Sequence, residues 1–226
     1  MRRFVPLLLG FALLGAASPA YAEPVGLVQK LQNTAYGTPP AAARTPKQPT
    51  DGVEFDELIE TVRKSAIQIG FVDGSSLTLG ADATVKIDEF VFDSDNETGQ
   101  AAFTLSRGAI RWVTGVLPPS GIRIETPTAS IAIRGTTLKL GLRANGDTIL
   151  ALISGLVTVT SRDSNASADL AAGQSALITP QGIEVLDEIL SVADAVVDDG
   201  WSRAENFRTG RGRERDSDNE SGGSGN

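Results

Sequence analysis

The chain contains no cysteine and no histidine. Without cysteine it has no disulfide, no thiolate nucleophile, no zinc–thiolate site and no iron–sulfur cluster. Without histidine it has no Ser–His–Asp triad, no imidazole-ligated zinc and no near-neutral imidazole base. Any catalysis would rest on carboxylates, Lys, Tyr or Ser. Long hydrophobic runs are scarce as well. One opens the chain, and no later run is long enough to span a bilayer core of roughly 30 Å.

That opening run reads as a secretory signal over residues 1–22. Arg2 and Arg3 form a basic n-region, "FVPLLLGFALLGAA" an apolar h-region, and "AYA" precedes Glu23 as a small-residue cleavage site. With Arg2 and Arg3 removed, 18 basic residues face 28 acidic ones, a net charge of −10. This balance argues against nucleic acid and anionic lipid as partners, because both require clustered positive charge. The expectation is an exported chain, periplasmic or extracellular, with no stable membrane insertion after cleavage.

Residues 23–183 read as one β domain. "VGLVQKLQNTAYG" is a first strand, and "TPPAAARTPKQPT" an extended surface loop. In "AIQIGFVDGSSLTLG" the alternation of Ile67, Ile69 and Phe71 resumes at Leu77 and Leu79, so Asp73-Gly74 is a hairpin turn. In "TVKIDEFVF" the apolar phase slips at Asp88-Glu89, which predicts a β-bulge. Gly108 divides "AAFTLSRGAIRWVTG" into two strands, and Trp112 alternates with Ile110 as a core residue. Asn145-Gly146 predicts a second hairpin turn, and Gly155 interrupts the apolar run that follows it. The architecture expected is all-β, a compact solenoid-like or rolled sheet, with a two-sheet sandwich as the alternative.

Helical spacing then takes over in "EVLDEILSVADAVVDD", so residues 184–207 are predicted as a C-terminal helical segment. Trp201 follows its end. The tail 208–226 is mixed-charge and Gly/Ser-rich, the composition of a disordered segment. Asp93, Asp95 and Glu97 alternate oxygen ligands as a calcium loop does, but Gly99 falls one position late for an EF-hand. A solvated hairpin turn is the simpler reading, so no metal ligand is assigned.

The ordered segments "FVDGSSLTLG", "KIDEFVFD", "LSRGAIRWVTG", "IETPTASIAIRGT", "GDTILALISGLVTVTS" and "LAAGQSALI" resemble the FecR domain, over roughly residues 25–183. The positions carrying the resemblance are Asp73, Gly74, Asp88, Gly108, Arg111, Gly115, Thr126, Pro127, Arg134, Gly135, Thr136, Gly155, Gly173 and Gln174. The resemblance implies an exported, non-enzymatic module that binds or senses a protein or envelope partner, without cofactor or catalytic residues. In the founding regulators this domain receives a signal from an outer-membrane transporter, and a cytoplasmic part controls a sigma factor. Here a signal-like segment stands where that part would be, so the anti-sigma role is not carried over. Two other readings stay open: a glycosidase using two carboxylates across a cleft, and a calcium-stabilised envelope protein resting on "DSDNETG".

Arg134 poses the sharpest question. It ends a strand face otherwise made of Thr128, Ser130 and Ala132, and small residues there predict a packed layer above it. A guanidinium so buried needs carboxylate or carbonyl partners. Asp88 is the first candidate, followed by Glu125 and Glu89. The rival is an exposed arginine that serves a ligand.

Overall fold

The computed structural model describes residues 23–118, 121–190 and 192. The signal-like segment, most of the predicted helix, Trp201 and the tail lie outside them. Among the described residues, no helix is long and apolar enough to cross a membrane.

The chain is all-β. In order the strands are β1 (Gly26–Gln32), β2 (Ala35–Thr38), β3 (Thr45–Pro46), β4 (Gly52–Val53), β5 (Leu58–Thr61), β6 (Ala66–Phe71), β7 (Ser76–Leu79) and β8 (Thr84–Asp93). There follow β9 (Thr98–Arg107), β10 (Ala109–Val113), β11 (Ile122–Glu125), β12 (Ala129–Leu142), β13 (Thr148–Ser161), β14 (Ser167–Ala171), β15 (Ser175–Thr179) and β16 (Gly182–Leu186). The Asp73-Gly74 and Asn145-Gly146 turns form between β6 and β7 and between β12 and β13. The bulge falls where the phase slip placed it: Ile87 pairs with Phe103 and Glu89 with Ala102, leaving Asp88 as the extra residue.

One hydrogen-bonded path, β3-β2-β5-β8-β9-β11-β12-β10-β7-β6-β1-β4, joins the strands, and β13 lies along the other side of β12. The rolled sheet is therefore what forms, since a sandwich of two separate sheets would break this ladder. Strand β12 explains the roll. Its residues 130–133 pair with β11, whereas 137–141 pair with β10, and the register shifts between Arg134 and Thr137. The sheet thus divides into a first leaf around β8, β9 and β11 and a second around β6, β7 and β10. The leaves close on an aromatic core: Phe71 of the second stacks on Phe90 of the first at 4.5 Å, and Phe103 meets Trp112 at 4.9 Å. Trp112 is fully buried, as its alternation predicts.

Most passages between leaves bend through left-handed backbone. On one edge the bends are Asn33, Lys64, Asp82 and Gly108, with φ of 57°, 61°, 51° and 80°. Neighbouring bends there are bonded together: Thr61 Oγ1 donates to Gly80 O at 2.6 Å and accepts from Ala83 N at 2.9 Å, and Gly80 N donates to Ala109 O at 2.9 Å. The single first strand read from the sequence is therefore two, β1 and β2, folded at Asn33. The opposite edge bends at Gly135, Gly155 and Gly173.

Two further boundaries differ from the sequence reading. Glu184–Leu186 complete β16 by pairing with Ser175–Leu177, so the β domain continues past residue 183. Their helical spacing was overridden by an available edge strand. The "TPPAAARTPKQPT" loop is not wholly a surface feature either. Lys47 is 7% exposed and reaches Glu57 Oε1 at 2.6 Å and Gly52 O at 2.7 Å; Glu57 is fully buried and also accepts from Glu54 N. A Cβ on Gly37 would lie 2.0 Å from Glu57 Oε1, so glycine is what lets this pair sit against β2.

Removing one partner of a buried pair leaves an uncompensated charge, so Lys47→Ala should lower unfolding free energy by roughly 3–5 kcal/mol. Lys47→Leu/Glu57→Leu should restore part of the loss, because the stranded carboxylate is then gone. Urea denaturation of the two variants against the parent checks this.

Candidate functional site

The motif residues do not gather in a pocket; most mark the bends and turns of the roll. Asp73 is 3% exposed and acts as a hub: it accepts from Ser75 N at 2.9 Å, Ser75 Oγ at 2.5 Å and Leu117 N at 3.3 Å. Ser75 Oγ accepts in turn from Gly115 N at 2.8 Å, and a Cβ on Gly115 would lie 2.3 Å from Asp73 O. The Asp73-Gly74 turn thereby holds the segment after β10. At the other end of the roll, Thr126 and Thr128 meet the buried Thr148 hydroxyl at 2.9 and 2.7 Å, while Pro127 between them is exposed. Gln174 Oε1 accepts from Ala171 N and its Nε2 donates to Asp187 Oδ1 at 2.7 Å, which fixes the Gly173 bend. Arg111 is half-buried on the outer face of β10, between Thr78 and Lys139.

The bend at Gly135 and Gly155 is the tightest of these. Both have left-handed φ, and a Cβ on Gly155 would meet Gly135 O at 2.3 Å and Arg134 O at 2.9 Å. Gly135 faces open space. Thr136, buried beside them, accepts from Thr114 N through its carbonyl and donates to Thr114 Oγ1 through its amide. Its hydroxyl has no hydrogen-bond partner among the described residues.

Arg134 corrects the sequence expectation. It is exposed, and among the described residues it makes no ion pair and no side-chain hydrogen bond. Ser130 and Ala132 beside it lie on the outer face of the first leaf, half-buried and exposed respectively, and of the expected small face only Thr128 is buried, against Thr148. Two of the three expected partners are engaged elsewhere, and the third, Glu89, lines an open depression beside Val91. Asp88 accepts from Thr104 Oγ1 at 2.6 Å and lies 3.6 Å from Lys86. Glu125 takes Arg162 at 2.6 Å and Ser130 Oγ at 2.8 Å. The Lys86 ammonium is held above its ordinary pKa range chiefly by its hydrogen bond to Asp56, against partial desolvation.

What surrounds Arg134 was not read from the sequence. Leu156 is its register partner on β13. Toward β9 the next position is Gly121, whose carbonyl accepts from Ala101 N, and Gln100 and Val91 continue the row. An open depression of about 430 Å³ lies there, lined by Glu89, Val91, Thr98, Gly99, Gln100 and Pro118. Val72, Val91, Val116, Ile153 and Leu156, along this same edge, are 43–62% exposed. Apolar side chains grouped on a polar surface mark interaction sites. The signal was present in the sequence: Val72, Val116 and Ile153 adjoin turn and bend residues and break the inward alternation.

The depression carries one carboxylate, Glu89, whereas glycosidase chemistry requires two across a cleft. In the Asp93–Glu97 turn, Asp93 accepts from Asp95 N at 2.9 Å and Asn96 Nδ2 at 2.8 Å. These bonds, the Asn96 side chain's first, hold its carboxyl below the usual range. Among the described residues no group of three acidic side chains is placed to hold a metal ion.

The family model described as "FecR protein" matches residues 57–158. This segment matches the FecR domain. It includes the Asp73 hub, Arg134 and both glycines of the tight bend, and β1–β4 and β14–β16 extend its sheet outside the matched residues. No curated protein matches the chain. Two crystal structures of a candidate anti-sigma factor from Parabacteroides distasonis are similar, at 14% identity with a TM-score of 0.47 and 13% with 0.45. Each alignment covers 60% of this chain and 61% of the other, so the likeness spans about three fifths of either protein.

Two substitutions separate structural from binding roles in the FecR domain. Arg134→Ala, at an exposed side chain without partners among the described residues, should change stability by less than about 0.5 kcal/mol. Gly155→Ala, forced into left-handed backbone against the Gly135 carbonyl, should cost roughly 1–3 kcal/mol. Thermal melts of the two variants side by side measure the contrast.

Proposed function

We propose that this protein is an exported, non-enzymatic signalling module that acts in the periplasm by binding an envelope protein. The FecR domain at residues 57–158 carries the reading. The absence of His and Cys from the sequence and the lone carboxylate of the edge depression support contact rather than chemistry. The contact surface is the bent edge of the roll. There Val116, Ile153 and Leu156 offer apolar area that water covers poorly, and Arg134 offers a guanidinium free to form a forked pair with a carboxylate. Such a surface suits a protein partner presenting an acidic side chain beside apolar ones.

A photo-crosslinking residue at Val116 or Leu156 of the full-length protein, expressed in an exporting host, tests this. The expected result is a discrete adduct with one envelope protein. Arg134→Glu should reduce it at least about tenfold, the equivalent of ~1.4 kcal/mol, and Arg107→Glu, a control on the opposite edge, should leave it intact. Adducts formed equally well with Arg134→Glu would remove the edge from the account. Release of sugars from a defined polysaccharide by the purified protein would replace the binding reading with the glycosidase.

A further inference from the structure

Most charged side chains on the outer face of the first leaf have partners. Lys86 bridges Asp56 and Asp88, Arg162 reaches Glu125 at 2.6 Å, and Asp169 accepts from Thr158 Oγ1 at 2.6 Å. Glu89 on β8 and Arg134 on β12 have neither an ion pair nor a side-chain hydrogen bond among the described residues. Both point outward, because their neighbours Phe90 and Ile133 are buried. The strand order β8-β9-β11-β12 separates them by three spacings, and Glu89 sits two residues before the row that runs from Val91 through Gln100 and Gly121 to Arg134. The line between the two charges therefore crosses the strands at a slant and runs about 16 Å. Its floor is bare at Gly121, where a Cβ would lie 2.4 Å from Gly99 O, and Val91 and Pro118 wall the depression of about 430 Å³ beside it.

We propose that Glu89 and Arg134 together select the partner's docking segment: an extended stretch with an acidic and a basic residue four positions apart and an apolar residue midway. The inference rests on the reading of this rim as a contact surface and names the chemistry that the surface takes. An extended chain rises about 3.3 Å per residue, and its positions i, i+2 and i+4 share one face. Residues i and i+4 thus lie about 13 Å apart, and the long side chains of Arg134 and of the partner's basic residue span the remainder. The middle side chain falls over Gly121, between the exposed Val91 and Leu156. A free amino acid is too short to reach both charges. A helix is too compact, since it sets i and i+4 only about 6 Å apart along its axis. Exposed charges govern the choice of partner more than affinity, so the device shows itself as a preference.

Synthetic probes on the purified protein, its tail intact and at low ionic strength, read that preference. One probe is the end-capped peptide Ser-Asp-Thr-Val-Thr-Lys-Ser; a second replaces its lysine with aspartate, and a third its aspartate with lysine. Amide NMR titrations should show the mixed-charge probe binding at least about fivefold tighter than either of the others, with shifts centred on Gln100 and Gly121. Glu89→Lys should transfer the preference to the doubly acidic probe, and Arg134→Glu should transfer it to the doubly basic one. No saturable binding by any probe, or a preference that fails to follow either substitution, would overturn the proposal. The crosslink from Leu156 separates it from the reading beneath it. An adduct that falls with Arg134→Glu but is indifferent to Glu89→Lys would keep the rim as a contact surface and overturn the two-charge selection.

Discussion

The structure depends on a backbone constraint. A single sheet closes on its own core only if strands can cross from one leaf to the other, and here most of the crossings pass through left-handed residues. Asn33, Lys64, Asp82 and Gly108 line one edge; Gly135, Gly155 and Gly173 line the other. The penalty of such conformations is about 1–2 kcal/mol for an ordinary residue and little for glycine. It is offset by what the bends bring together, namely Phe71, Phe90, Phe103 and Trp112 on the inner faces. The bends also support one another, as Thr61 shows by bonding the Asp82 turn while its strand leads toward Lys64. Loss of one bend therefore strains its neighbours.

The proposed contact surface follows from the same geometry. Where β12 and β13 bend, residues that would alternate inward and outward are pushed to a rim, so Ile153 and Leu156 lose their cover and Arg134 points to solvent. The Asp73 hub pulls the segment after β10 against this rim and adds Val72 and Val116 to it. The apolar edge is thus a by-product of closing the roll. A module that signals by contact needs little more than a rigid, partly apolar rim bearing a charge.

Much of this was legible in the sequence where a local signal had a single physical meaning. Both hairpins were marked by Asp-Gly and Asn-Gly, and the Asp88 bulge by a phase slip in "KIDEF". Bends at Asn33, Lys64 and Asp82 were not legible, because residues other than glycine adopt left-handed backbone without announcing it. Arg134 was misread for a related reason. Its small neighbours are compatible with a packed layer or with a plain outer face, and only the three-dimensional assignment of faces decides. The buried Lys47–Glu57 pair was hidden in a proline-rich stretch whose composition reads as surface loop.

The account makes the two leaves one cooperative unit, joined through both edges. Native-state hydrogen exchange measures this directly, by comparing amides of β9 and β11 in the first leaf with those of β7 and β10 in the second. The result predicted is a common opening free energy for the best-protected amides of both leaves, agreeing within about 0.5 kcal/mol and falling together in Gly155→Ala. If one leaf exchanged through openings that left the other protected by a further ~2 kcal/mol or more, the leaves would be separate units and the bends mere linkers.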